Sequence, residues 1–266
     1  MTNVFIEGVA LWAPTLPGWE VARAAFRNEG PAADPPQRRP SPELLPPAER
    51  RRAPDTVALA LEVASRAVAQ SGHAAADLAS VFTSAHGDLG ITDALCSTLV
   101  SAPTLVSPTK FHNSVHNAAS GYWTMGTGCM QVSTAISAFR HSFAAGLLEA
   151  CVQCAADERA VLLVGYDIEA CGALACTAES RGLLALALVL APARSERSVA
   201  ALEWSLASGP TTTVPLRTAA ARALAGNAMA DGVPLFEALA LERRDAFRMP
   251  LSASLGFEVR LHDPRP

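Results

Sequence analysis

Apolar and polar positions alternate over residues 3–12 (NVFIEGVALW), which predicts an opening strand. Residues 18–28 follow with apolar positions at helical spacing. A longer helix is predicted next: Asp55 stands as its N-cap, Val57, Leu61, Ala64 and Val68 recur every three or four residues, and Gly72 ends the run. Residues 78–85 read as a strand closed by the polar turn His86-Gly87-Asp88. From Ser133 a helix is predicted to run to about Ala156, its apolar side set by Ile136, Phe139, Phe143, Leu147 and Val152. Residues 160–166 and 183–190 are apolar without a break, as strands buried on both faces are. Residues 197–206 and 252–261 give two amphipathic strands, with helical patterns at 214–226 and 233–241 between them. Apolar strands separated by helices imply βαβ crossovers and an α/β sheet covered on both sides. No repeat of 20–50 residues is present.

Composition sharpens this picture. The 266 residues suit one domain (1–266), and with half of them apolar and 17% charged the chain can bury a large core. Residues 30–54 are dense in proline and carry Arg38, Arg39, Arg50, Arg51 and Arg52, which predicts a surface loop without regular structure. That loop reads either as a docking surface for an acidic partner or as a solvated segment. The formal charge of −4 supplies no basic field, so nucleic acid is not an expected partner. The most apolar window, 182–192, is too short to span a bilayer, and the N-terminus lacks a secretory pattern, so a cytoplasmic location is expected.

Six cysteines in a chain of this size do not form a disulfide framework. Cys151 and Cys154 make a CxxC, but it falls within a predicted helix with no second pair or nearby His, and reads as packing rather than as a metal or redox site. His112 and His116 stand four apart, half of a zinc site, yet no third ligand is near and Asn113 and Asn117 follow the same spacing. A polar hydrogen-bonding cluster is the expectation there. Cys129, in the turn GTGCM, has two readings: a nucleophile with His112 or His116 as base, or a small buried thiol. The first would make the chain a standalone acyltransferase or thioesterase.

Residues 107–149 (SPTKFHNSVHNAASGYWTMGTGCMQVSTAISAFRHSFAAGLLE) place a Pro-, Asn- and His-rich loop before a short apolar helix, a Gly-bounded turn, the run VSTAI and an Ala-rich helix. This layout resembles the β-ketoacyl synthases, most specifically in FHNSVHNAASGYW, SFAAGLLEA and VLLVGYD, over roughly residues 1–190. It implies a thiolase-like layered fold corresponding to the N-terminal half of a ketosynthase, with 191–266 matched only weakly. In that family a cysteine at the VSTAC position, on a buried helix N-terminus, carries the acyl chain. Here the position holds Ile136, and the histidine pair and lysine of the family's C-terminal half have no counterpart, since the last lysine is Lys110.

The resemblance therefore implies a non-catalytic, chain-length-factor-like subunit without cofactor. Its partners would be a full-length β-ketoacyl synthase and an acyl carrier protein bearing acyl-phosphopantetheine, in aryl polyene or related acyl-chain synthesis. A purely structural scaffold is the remaining reading. In either case Phe111, His112, Asn113, His116, Asn117, Tyr122, Trp123 and Met125 would lie at the subunit interface or pocket mouth.

Overall fold

The computed structural model describes residues 2–176 and 179–264. Its eight strands are β1 Thr2–Trp12, β2 Ala79–Thr83, β3 Ser133–Ile136, β4 Val161–Asp167, β5 Leu184–Ala191, β6 Ala200–Ser208, β7 Phe247–Pro250 and β8 Leu255–His262. They form one sheet in the order β3-β2-β4-β5-β1-β6-β8-β7. The helices are α1 Trp19–Phe26, α2 Pro47–Arg52, α3 Asp55–Ser71, α4 Leu89–Ser101, α5 Pro108–Asn113, α6 Ala118–Thr127, α7 Ser142–Ala156, α8 Ala219–Arg222 and α9 Val233–Ala240.

Helices cover both faces of this sheet, as the uninterrupted apolar strands require. Residues of α3 and α6 pack on one face in a cluster holding Leu61, Val63, Trp123, Val164 and Val189. Residues of α1, α7 and α9 pack on the other with Phe26, Phe143, Leu147, Leu163 and Phe236. Every residue of β4 and β5 is buried. The close fit of β1 to α3 depends on Gly8, where a Cβ would stand 2.1 Å from the carbonyl oxygen of Ala67. Residues 200–262 add three strands to the same sheet.

Four expectations need correction. Only β3, β2 and β4 run parallel; β5 is antiparallel to both β4 and β1. The described part of the link between β4 and β5 holds a single 3-10 turn at Ala173–Cys176, whereas a parallel return needs a crossover element. The loop 30–54 includes α2, which Pro47 starts from the first helical position, where its missing N–H costs nothing. Pro54, not Asp55, occupies the N-cap of α3; Asp55 opens the helix, where its charge suits the dipole, and pairs with Arg39 at 3.1 Å.

The fourth correction matters most. Residues 133–136 are strand, paired in parallel with β2, and α7 begins only at Ser142. The apolar spacing that suggested a longer helix joins two elements: Ile136 packs on the core from the end of β3, while Phe139 and Val152 are exposed.

Candidate functional site at a strand-to-helix elbow

Parallel strands gather their carboxyl ends at one pole of a sheet, the usual place for a site in such folds. Here β2, β3 and β4 end at Thr83, Ile136 and Asp167. The link from β3 to α7 is a tight elbow. Ser137 Oγ donates to the carbonyl of Ala85 at 2.9 Å, the Ala138 amide donates to Ser142 Oγ at 3.0 Å, and that hydroxyl donates to the Phe139 carbonyl at 2.8 Å. Phe139 sits at the tip with φ 53°, a conformation that costs a bulky L-residue energy and that the surrounding bonds impose. The tip of the elbow is thus a phenyl ring that meets the His86 ring edge-on at 5.8 Å, with the Arg140 guanidinium over it at 5.5 Å. Ile136 lies three positions earlier, on the strand rather than at a helix N-terminus.

A cavity of ≈ 400 Å³ opens at this elbow, lined among others by His86, Phe139, Arg140, His141, Arg181 and Asp231. Burial holds both imidazoles below the ordinary histidine range, with Arg140 adding to the effect on His141. Two buried carboxyls stand behind it. Asp167 accepts from Ser84 Oγ and the Ala85 amide, each at 2.8 Å; Asp231 accepts from the Ala144 amide at 3.0 Å. Desolvation pushes each up to about 7 against those bonds. Asn227 closes the wall: its amide donates to the carbonyls of Asp167, Arg181 and Gly182, and its carbonyl accepts from Met229. The sequence reading did not single out His141, Asn227 or Asp231, and met Asp167 and His86 only as the ends of strands. An acid directly after the all-apolar run of β4 was the one available signal.

The thiols take no part in this site. Cys129 is buried and its Sγ donates to the Leu78 carbonyl at 3.3 Å, before β2 begins. His116 Nε2 donates to the Ser84 carbonyl at 2.9 Å, beyond the other end of β2. The anchors Leu78 and Ser84 stand six positions apart along the extended chain, about 20 Å, so Cys129 and His116 form no catalytic pair. His112 stacks edge-on against Tyr122 at 6.3 Å. Cys151 and Cys154 face the core from α7, and burial raises the Cys151 thiol well above the usual range and Cys154 to about 12. Among the described residues no three metal-capable side chains cluster.

Of the remaining residues expected at an interface or pocket, Phe111 and Met125 are exposed, and Tyr122 and His112 line a second cavity beside the proline-rich loop. Asn117 takes the N-cap position of α6. Asn113 and Trp123 are buried; Trp123, 1% exposed, belongs to this chain's own core. Exposed large apolar residues concentrate elsewhere in the same stretch: nine of the thirteen among the described residues fall between Leu99 and Phe139. Within it β3 is an edge strand, bonded to β2 on one side only, and Met130 just before it is 94% exposed. Of the loop arginines, Arg39 and Arg50 are tied to backbone carbonyls.

A family model for the β-ketoacyl synthase N-terminal domain matches residues 24–246, most of the chain and well past residue 190. The chain belongs to that family. No curated protein matches it in sequence. Solved structures with the same thiolase-like fold include a chain of the ketosynthase ApeO in complex with its chain length factor ApeC from Xenorhabdus doucetiae. It is 22% identical with TM-score 0.73, covering 98% of this chain and 100% of that one. A chain of the ishigamide ketosynthase/chain length factor is 15% identical with TM-score 0.74, covering 99% of each. One from AntDE:AntF, a type II polyketide synthase acyl carrier protein in complex with its ketosynthase, is 8% identical with TM-score 0.76, covering 98% and 99%. Among the described residues no helix is long and apolar enough to cross a membrane.

Proposed function

We propose that this chain is a non-catalytic subunit of the chain-length-factor type, which pairs with an active β-ketoacyl synthase in the cytoplasm and serves aryl polyene or related acyl-chain synthesis. The observation that carries this reading is the elbow. Condensation needs a thiolate at the turn before α7 and groups that hold the thioester oxyanion. The turn offers Phe139 at its tip, Ile136 on the strand before it, and a Ser142 hydroxyl already committed to the Phe139 carbonyl.

The edge strand β3 and the apolar residues around it support a partner on that side. Unpaired strand edges invite pairing, and exposed Met130 and Val132 flank the start of the strand. The elbow cavity and the loop bearing Arg38, Arg51 and Arg52 are the places where an acyl carrier protein would be met.

The test is co-expression with a full-length ketosynthase encoded beside it, followed by affinity capture through a tag on this chain. Stoichiometric recovery of the ketosynthase supports the reading. A soluble monomer that leaves the ketosynthase behind, or that condenses malonyl thioesters alone, removes it.

A further inference from the structure

We infer that Asp231 is an internal anion seated on the N-terminus of α7, and that it sets what the elbow cavity accepts: neutral or hydrogen-bond-donating groups, and not a thiolate or an oxyanion. Helix N-termini present unpaired amides and the positive end of the macrodipole, and so favour negative charge. In α7, fifteen residues long, the amides of Phe143 and Ala144 already point at the Asp231 carboxylate, the latter at 3.0 Å. Asp231 reaches this position from a 3-10 turn at Ala230–Gly232, packed against α7 and held in turn by Asn227.

Three further observations agree. The other Asp231 oxygen, Oδ1, has no hydrogen-bond partner and no exposure to solvent, so the carboxyl is sealed into the wall rather than shared with a cation. Among the described residues no arginine or lysine pairs with it; Arg140, the nearest cation in sequence to the elbow, lies over the Phe139 ring instead. Asp167 adds a second buried acid whose charge opposes any further anion there. A thioester oxyanion formed at this elbow would compete with a carboxylate for the same two amides and be repelled by it. The loss of condensation chemistry is therefore built in twice, once by the missing thiol and once by Asp231.

The inference is independent of any partner and is tested on the full chain with an introduced reporter thiol. Phe139→Cys places a thiol at the elbow tip, and Phe139→Cys/Asp231→Asn keeps the amide contacts through a neutral side chain. Iodoacetamide alkylation of that thiol, followed by peptide mass spectrometry from pH 6 to 10, reads its pKa. With Asp231 present the pKa is expected at or above that of a free thiol, about 8.5. With Asn at 231 it falls by about one unit or more, so that alkylation at pH 8, where Asp231 is ionised, speeds up about threefold. Asp231→Ser, a neutral capping residue, repeats the measurement should the Asn variant fold poorly. A purely structural role for Asp231 would not move the thiol. Equal pKa values with and without the carboxylate, at the same melting temperature, overturn the inference.

Discussion

Ser84 and Asp167 join the carboxyl ends of β2 and β4: the serine hydroxyl donates to Asp167 Oδ1 at 2.8 Å while Oδ2 takes the Ala85 amide. Replacing Asp167 with Ala leaves two buried donors without acceptors next to the elbow. Loss of about 2–4 kcal/mol of unfolding free energy is expected, measured by chemical denaturation. Ser84→Ala, which removes the bond to Asp167 and the one Ser84 Oγ accepts from the Gly87 amide at 2.8 Å but leaves the Ala85 contact, costs about 1–2 kcal/mol.

The same carboxyls set a pH dependence. Asp167 and Asp231 titrate near 7 in the folded chain but near 4 when unfolded, so between those values the folded state binds more protons. Their contribution to stability is thus greatest at low pH, declines as pH rises from 4 to 7, and is level above. Denaturation midpoints at pH 5.5 and 8 should show the decline, and Asp231→Asn should reduce it, leaving the part that Asp167 contributes. An equal slope in the variant assigns the effect elsewhere.

The purified chain is expected to form no acyl adduct with a thioester donor, as read by intact-protein mass spectrometry. Ile136→Cys is expected to leave condensation undetectable, because that side chain packs on the core from the end of β3 rather than standing at the turn. Turnover by this variant would show that the strand position, not the tip, is the reactive one.

Two substitutions separate fold from interface. Trp123→Ala empties a buried site between α6 and α3 and should cost about 3–5 kcal/mol of stability whether or not a partner is present. Val132→Asp, beside the free edge of β3, should change unfolding free energy by less than about 0.5 kcal/mol yet abolish recovery of the ketosynthase complex in size exclusion. A complex that survives Val132→Asp moves the interface away from this edge.

Much of this architecture could be read from hydrophobic pattern. β1, α3 and β5 announce themselves because each buries a long, regular set of apolar positions, and Gly72 stops α3 in the left-handed conformation that glycine permits. β3 was hidden by its length. Four residues give too little alternation to outweigh Ile136, Phe139, Phe143 and Leu147, which fall at helical spacing across a turn that Ser142 enforces by side-chain bonds. The antiparallel return of β5 was equally hidden, since a strand buried on both faces reads the same in either direction. The elbow site was legible only as a missing cysteine. Its acids lie 64 positions apart in Asp167 and Asp231, and nothing local to either shows that the chain brings them to one wall.

The position of β1 carries a consequence for how the molecule comes to exist. It is a central strand whose neighbours, β5 and β6, are made late: Val4 pairs with Leu202, roughly two hundred residues later in the chain. Until those segments emerge from the ribosome, β1 has two open edges and an apolar face without cover. Folding is therefore dominated by closure of distant pairs, which cannot begin until most of the chain has been made, and until then the nascent chain exposes apolar surface prone to aggregation. Shortening the gene from its 3′ side before β6 would remove the contiguous strands β6, β8 and β7 and turn β1 into a bare edge beside β5, and the product should be found in inclusion bodies.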